Sequence, residues 1–206
     1  MDSSLKNIEK KDIVQEVKLK EGDSWFIQLL VSSNIQLDEK EFKKLWNLHP
    51  EERHTIKIGQ KEIKVPRYAQ SYGRSYAYSG TVNKALPIEN AFLLSVQKYC
   101  QKFGEKCDQM MVSWYENGAH YIGPHSDDTK QFEKETSPIF SFSFGAERKF
   151  VVKSKKGDEK YQIKLKDNTC IIMGGEMQKY YTHEVSKQSV NVIKNGRINI
   201  TLRSFK

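Results

Sequence analysis

Two side chains two residues apart raise the question of chemistry. In the stretch YIGPHSDD, a Gly-Pro pair bends the chain just before His125 and Asp127. On an extended segment, residues i and i+2 project to the same side. Two histidines and one carboxylate on one face of iron(II) leave open positions for a co-substrate and oxygen, as in non-haem oxygenases. His-x-Asp alone arises easily by chance, and an ordinary polar turn reads the same way. The second histidine has to come from elsewhere. His183, in GGEMQKYYTHEV, lies past a strand and a Gly174-Gly175 turn, 14 residues before Arg197. His49 and His54 belong to the N-terminal region. His120 is too close in sequence to His125 and reads as loop packing.

The C-terminal stretch GRINITLRSF alternates strictly. Ile198, Ile200 and Leu202 point one way, and Arg197, Asn199, Thr201 and Arg203 the other. An ordinary strand with one wet face explains the pattern. Two arginines beside an amide and a hydroxyl also make an anion-binding row. Six residues of strand span roughly 20 Å, so inward-bent arginine arms leave a gap for a short dicarboxylate.

Elements must position these residues. Asp38 followed by Glu41 in LDEKEFKKLW predicts a helix N-terminus, with Phe42, Leu45 and Trp46 on one face. SWFIQLLVSS, after Asp23, reads as a short helix. PIENAFLLSVQKYCQKFG predicts a helix starting at Pro87 and stopping at Gly104, with Phe92, Val96, Tyr99 and Phe103 as its core stripe. After Cys107 the period changes to two. IFSFSF puts Phe140, Phe142 and Phe144 on one face. ERKFVVKSKKGDEKYQIKLK reads as two strands about a Gly157-Asp158 turn, and TCIIMGG as another. A helical first half and a strand-rich second half predict an α+β fold, with helices backing a sheet or barrel.

The 206 residues suit one domain, and 37% hydrophobic with 11% aromatic content supports a packed core rather than disorder. The net charge of +8 favours a polyanionic partner such as nucleic acid. Lysines spread along the chain serve solubility equally well. Three cysteines without a CxxC pair fit reduced intracellular thiols. No signal-peptide core or membrane-length apolar run is seen, so a soluble intracellular protein is expected, with no membrane partner.

The order of motifs is more specific than any one of them. VPRYAQSYG, YAYSG, WYENGAHYIGPHSDD, SPIFSFSFGAERKFV, MGGEMQKYYTHEV and RINITLRSF, from about Val65 to Phe205, resemble the AlkB family of Fe(II)/2-oxoglutarate dioxygenases, nearest its nucleic-acid-dealkylating branch. The resemblance implies a double-stranded β-helix (jelly roll) over 51–206, following an N-terminal extension of short helices over 1–50. It implies a nucleotide-recognition lid at about 56–80. It implies Fe(II) held by His125, Asp127 and His183, with 2-oxoglutarate and O2 as co-substrates. Arg197 would pair with the distal carboxylate of 2-oxoglutarate, and Arg203 would support the other end. Asn199, Thr201, Tyr115 and Ser113 would complete that pocket. Ser113 stands where the family usually has asparagine. Asp128 would face the exocyclic amine of a base, Tyr76 and Tyr78 would stack on it, and Arg67 would join the substrate site. The implied partner is nucleic acid carrying alkylated bases, DNA rather than RNA, and the implied form a monomer.

Two rivals keep part of this reading. One is a 2-oxoglutarate oxygenase acting on a protein, lipid or small molecule. The other is a binding module with a degenerate site. Finally, HTIKIGQKEIKVPR predicts a hairpin turning at Gly59 and Gln60. Ile56 and Ile58 near its tip are a weak base-stack wedge or, as readily, core residues.

Overall fold

The computed structural model describes residues 8–78, 80–127 and 130–206, without the side chains of Lys57 and Ile58. In chain order its elements are β1 (Ile13–Lys18), β2 (Ser24–Leu30), α1 (Glu39–Trp46), β3 (Thr55–Ile58), β4 (Lys61–Lys64) and β5 (Tyr68–Tyr72). Then come β6 (Tyr76–Tyr78), β7 (Thr81–Asn83), β8 (Ala85–Leu86), α2 (Ala91–Gln101), β9 (Gln109–Tyr115) and β10 (Ile122–His125). The last are β11 (Ile139–Gly145), β12 (Arg148–Ser154), β13 (Lys160–Leu165), β14 (Thr169–Gly175), α3 (Met177–Tyr180), β15 (Tyr181–Val185) and β16 (Arg197–Arg203).

An eight-stranded major sheet runs β1-β2-β14-β11-β16-β9-β5-β8, and a four-stranded minor sheet runs β10-β15-β12-β13. Hairpins β3–β4 and β6–β7 form separate two-stranded sheets. The major sheet is apolar on its outer face, and its inner face carries apolar residues beside a polar row. Phe140, Phe142 and Phe144 of β11, with Ile198, Ile200 and Leu202 of β16, pack against Leu93, Val96 and Cys100 of α2. On the other face Phe26, Met111, Ile139 and Met173 meet Phe150, Val152, Ile163 and Leu165 of the minor sheet. This is the expected jelly roll: two facing sheets, with helices backing one of them. The phenylalanines of IFSFSF thus turn away from the space between the sheets, and their polar neighbours turn into it.

The helix signals hold where capping chemistry supports them. The Asp38 carboxylate accepts from the Glu41 N–H at 2.8 Å. Asn90, not Pro87, caps α2 by accepting from Phe92 and Leu93. Gly104, at φ +82°, follows the end of that helix.

SWFIQLLVSS is a correction: Ser24–Leu30 is strand β2, not a helix. A short apolar run has no period to distinguish the two states. Here β2 lies between β1 and β14 and is buried on both faces. The described part of 1–50 carries short helices, 3-10 turns at Lys10–Asp12 and Ser33–Ile35 besides α1, but it is not separate from the sheet. It adds β1 and β2 to the major sheet, and α1 is its one α-helix among the described residues. Among the described residues the stretch before Cys107 carries eight strands rather than being helical: β1–β2, β3–β4 and β6–β7 are local pairs, while β2 and β5 are also held by β14 and β9 from farther along the chain. Among the described residues no helix is long and apolar enough to cross a membrane.

Candidate active site

His125 ends β10 and His183 sits in β15, directly opposite each other in the antiparallel register. Their ring centroids are 4.3 Å apart. Asp127 follows two residues after His125, and ligand atoms of the three side chains lie within 4.8 Å of one another. Two glycines make the approach to His183: Gly175 has φ +64°, and a Cβ on it would overlap the Asp23 carbonyl. A Cβ on Gly174 would strike the Trp25 ring. The chain can therefore turn from β14 into α3 and re-enter the minor sheet through β15.

The protonation states suit a divalent cation. Burial alone would raise the Asp127 carboxyl, but Arg203, His183 and His125 outweigh it and hold it well below the usual carboxylate range. Burial pushes His183 down to about 3. Burial also lowers His125. A charged carboxylate beside two neutral imidazoles is the ligand state a metal requires. His125 Nδ1 lies 2.9 Å from the Gly123 carbonyl, which fixes the ring and leaves Nε2 for a metal. His183 Nδ1 is buried without a hydrogen-bond partner. The residues fit Fe(II).

Arg197 is the next open valence. It is 1% exposed, its guanidinium lies 4.9 Å from the Tyr115 ring centre, and Nη2 donates to Ser143 at 2.9 Å. Nε and Nη1 have no partner. Burial lowers its pKa to about 10, so it stays charged at neutral pH. A buried cation with two unmet donors suits an anion with paired acceptors, such as a carboxylate.

Arg203 behaves differently. Its Nη2 donates to Asp127 Oδ2 and its Nη1 to Gln109 Oε1, each at 2.9 Å. The two arginines of the row therefore do not flank one gap as equivalent arms: Arg197 is open, while Arg203 is neutralised by the carboxylate of the triad. Asn199 donates to Ser141 and Phe142, and Thr201 to Asn199. Ser113 lies opposite Asn199 across the β9–β16 pairing. Tyr115 lies opposite Arg197.

Arg67 is 8% exposed with Nε unpartnered, and the Tyr78 hydroxyl is buried without a partner. The positive charge of Arg67 acts on both Tyr78 and His125. Tyr76 departs from expectation. It is 7% exposed, its hydroxyl donates to Asp127 Oδ1 at 3.2 Å, and the Arg203 guanidinium lies 4.6 Å from its ring centre. Its ring is packed, not offered to a base. Asp128 lies outside the described residues. His120 packs beside Tyr68 and pairs with Glu116, as expected of a loop residue. Arg148 bonds the carbonyls of Asn117, Gly118, His120 and Ser186.

Sequence reading leaves out Gln109, Ser143 and Gln178. Gln178 accepts the Asp127 N–H at 2.9 Å. Alternation puts Gln109 and Ser143 on the right faces, but only the pairing of β9, β16 and β11 brings them to the arginines.

A family profile described as the 2OG-Fe(II) oxygenase superfamily matches residues 15–203. DNA oxidative demethylase ALKBH2 of Mus musculus is 24% identical over 161 residues, covering 73% of this chain and 66% of its own. The Arabidopsis thaliana ALKBH2 is 29% identical over 123 residues, covering 48% of this chain and 38% of its own. The tRNA (carboxymethyluridine(34)-5-O)-methyltransferase alkbh8 of Xenopus tropicalis is 29% identical over 146 residues, 66% of this chain and 22% of its own. The chain thus spans between a fifth and two thirds of these relatives' lengths. The solved structure of OsALKBH1 superposes with a TM-score of 0.56 at 18% identity, covering 92% of this chain and 100% of that one, and shows the same fold. With a profile match over nearly its whole length and a His-Asp-His triad in a jelly roll, the chain belongs to the 2OG-Fe(II) oxygenase superfamily.

Proposed function

We propose that this chain is an Fe(II)/2-oxoglutarate-dependent dioxygenase that dealkylates N-alkylated bases in nucleic acid. The observation that carries the reading is the pairing of a complete triad with a buried, charged Arg197 that lacks an anionic partner. Fe(II), bound with 2-oxoglutarate and O2, supplies the oxidation: 2-oxoglutarate becomes succinate and carbon dioxide while one oxygen atom enters the N-alkyl group. For a methyl group the N-hydroxymethyl product loses formaldehyde and returns the N–H base.

This chain's residues bind and orient. His125, Asp127 and His183 hold the metal. Arg197 takes the distal carboxylate, with Tyr115, Asn199, Thr201 and Ser113 lining the pocket. Arg203 holds the Asp127 carboxylate from behind. Arg67 and Tyr78 hold the flipped base at the mouth, and Asp128 accepts from its exocyclic amine. Hairpins β3–β4 and β6–β7 form the nucleotide lid. The charge of +8 supports contacts to phosphates. Relatives named for DNA outnumber the one named for tRNA, which supports DNA as substrate. One chain supplies every residue named, so a monomer suffices. Buried free Cys100, Cys107 and Cys170 support an intracellular setting.

The test is to measure succinate and formaldehyde from oligonucleotides carrying 1-methyladenine, 3-methylcytosine or N6-methyladenine. Coupled release of both products is expected. Succinate release that no oligonucleotide stimulates would move the assignment to another substrate class. Absence of turnover with Fe(II) bound would leave a degenerate binding module.

A further inference from the structure

Asp127 is held more tightly than a metal ligand on a turn needs to be. Arg203 occupies Oδ2 and the Tyr76 hydroxyl occupies Oδ1. Gln178 takes the Asp127 backbone N–H, and Ser126 beside it donates to the Tyr181 carbonyl at 2.9 Å. Arg203, Gln178 and Tyr181 belong to the sandwich or to α3 packed on it. Tyr76 does not: it opens β6, whose only strand partner among the described residues is β7. The same hairpin is laced to the segment after Asp127 a second time. Gln131 Oε1 accepts from the Ala77 N–H at 3.0 Å, and Gln131 Nε2 donates to the Ser75 carbonyl at 3.3 Å. The Tyr76 ring is wedged beside Tyr78, Phe205 and the Arg203 guanidinium. A carboxylate has about four acceptor sites, so both protein donors can stay in place when a metal takes another.

We propose that Tyr76 is a positioning residue through which the β6–β7 hairpin orients the carboxylate of Asp127, so that metal occupancy and ordering of the hairpin are coupled. This rests on the reading of His125, Asp127 and His183 as the metal site. A hydroxyl donated to one ligand oxygen restricts rotation of the carboxylate and so favours the geometry that accepts the metal. Linkage makes the effect reciprocal: whatever the hairpin contributes to metal binding, the metal returns to the hairpin. Metal binding would thereby order further a hairpin that is already bonded to Asp127 and Gln131.

The test uses the full chain and Co(II) as a spectroscopic stand-in for Fe(II), without turnover. Visible absorption titrations give affinity for the parent, Tyr76→Phe, Tyr161→Phe and His183→Ala. Tyr161→Phe is the matched control: it also removes a tyrosine–carboxylate bond, the 2.6 Å contact to Glu159, but away from the triad. Hydrogen exchange of the β6–β7 amides is measured with and without Co(II). The expected result is about tenfold weaker Co(II) binding in Tyr76→Phe, parent-like binding in Tyr161→Phe, and Co(II)-dependent slowing of hairpin exchange in the parent alone of the Tyr76 pair. Parent-like affinity in Tyr76→Phe, an equal loss in Tyr161→Phe, or hairpin exchange in the parent indifferent to Co(II) would each overturn the proposal and leave the metal site standing. Undiminished Co(II) binding in His183→Ala would instead overturn the site itself, and the proposal with it.

Discussion

His183 and Arg197 are buried in opposite ways, and each makes a prediction. His183 is an imidazole held neutral, pushed down to about 3 from an ordinary value of 6.5. Below pH 6.5 the unfolded chain takes up a proton that the folded site refuses, so stability falls as pH falls toward 3. The slope from one such group is about 1.4 kcal/mol per pH unit. Denaturant titrations of the metal-free parent at pH 7.5 and 5.5 should show this loss, and His183→Gln should flatten it. An unchanged slope would place the pH sensitivity elsewhere. Arg197 is a cation held charged without an anion. Arg197→Ala should weaken 2-oxoglutarate binding by about 1.5–3 kcal/mol, roughly ten- to 150-fold, while nucleic-acid affinity holds. A co-substrate titration that overlays the parent would show that the carboxylate anchor is not Arg197. Ser113 lies opposite Asn199, so Ser113→Asn should tighten co-substrate binding or leave it unchanged.

At the scale of elements, the two hairpins outside the sandwich have different anchors. The β6–β7 hairpin is bonded to Asp127 and Gln131. In the β3–β4 hairpin Ile56 pairs with Ile63, which is 40% exposed. The hairpin sequence from Thr55 to Lys64 contains no aromatic residue, and the side chain of Ile58 lies outside the described residues. A duplex-acting enzyme has to fill the gap left by a flipped base, and unstacking costs least on a single strand. Single-stranded methylated DNA should therefore be repaired at least as well as the matched duplex, and Ile58→Ala should affect mainly the duplex. A strong duplex preference at fixed salt would refute this. Arg148, by contrast, serves the frame: besides packing over the Tyr115 ring, it joins the loops at 117–120 and at 186–188. Arg148→Ala should cost about 3 kcal/mol in stability, read by denaturant melt, because buried carbonyls lose a charged donor.

The whole molecule is a β-sandwich closed by a site that is charged inside and needs a metal to complete it. Binding of a divalent metal to the folded state at 100 times its Kd adds about 2.7 kcal/mol, which for a chain of this size raises Tm by about 5–10 °C. Thermal melts with Co(II) or Mn(II) should show the rise, and Asp127→Ala should abolish it. The charge of +8 acts over the surface as a whole. Affinity for an oligonucleotide should fall with salt, log K dropping by about 0.7 per phosphate contact on a single strand for each tenfold rise in salt. A salt-independent affinity would remove phosphate contact from the account of substrate binding.

How much of this was legible in the chain follows from the range of the forces involved. Local signals wrote themselves into the sequence: the Asp38 cap, the φ-positive Gly104 after α2, the alternation of β11 and β16, and the hairpin turn at Gly59. The order of histidines, aspartate and arginines was legible as a pattern because the chemistry needs those residue types. Strand β2 was not, since an apolar run of seven residues folds as whatever its neighbours accept, and those neighbours are β1 and, some 140 residues away, β14. Nor was the division of labour between the arginines. Arg197 and Arg203 look equivalent on one face of one strand. Only the fold, by bringing Asp127 to Arg203 and leaving Arg197 against serine and tyrosine, made one a support for the metal ligand and the other an open seat for an anion.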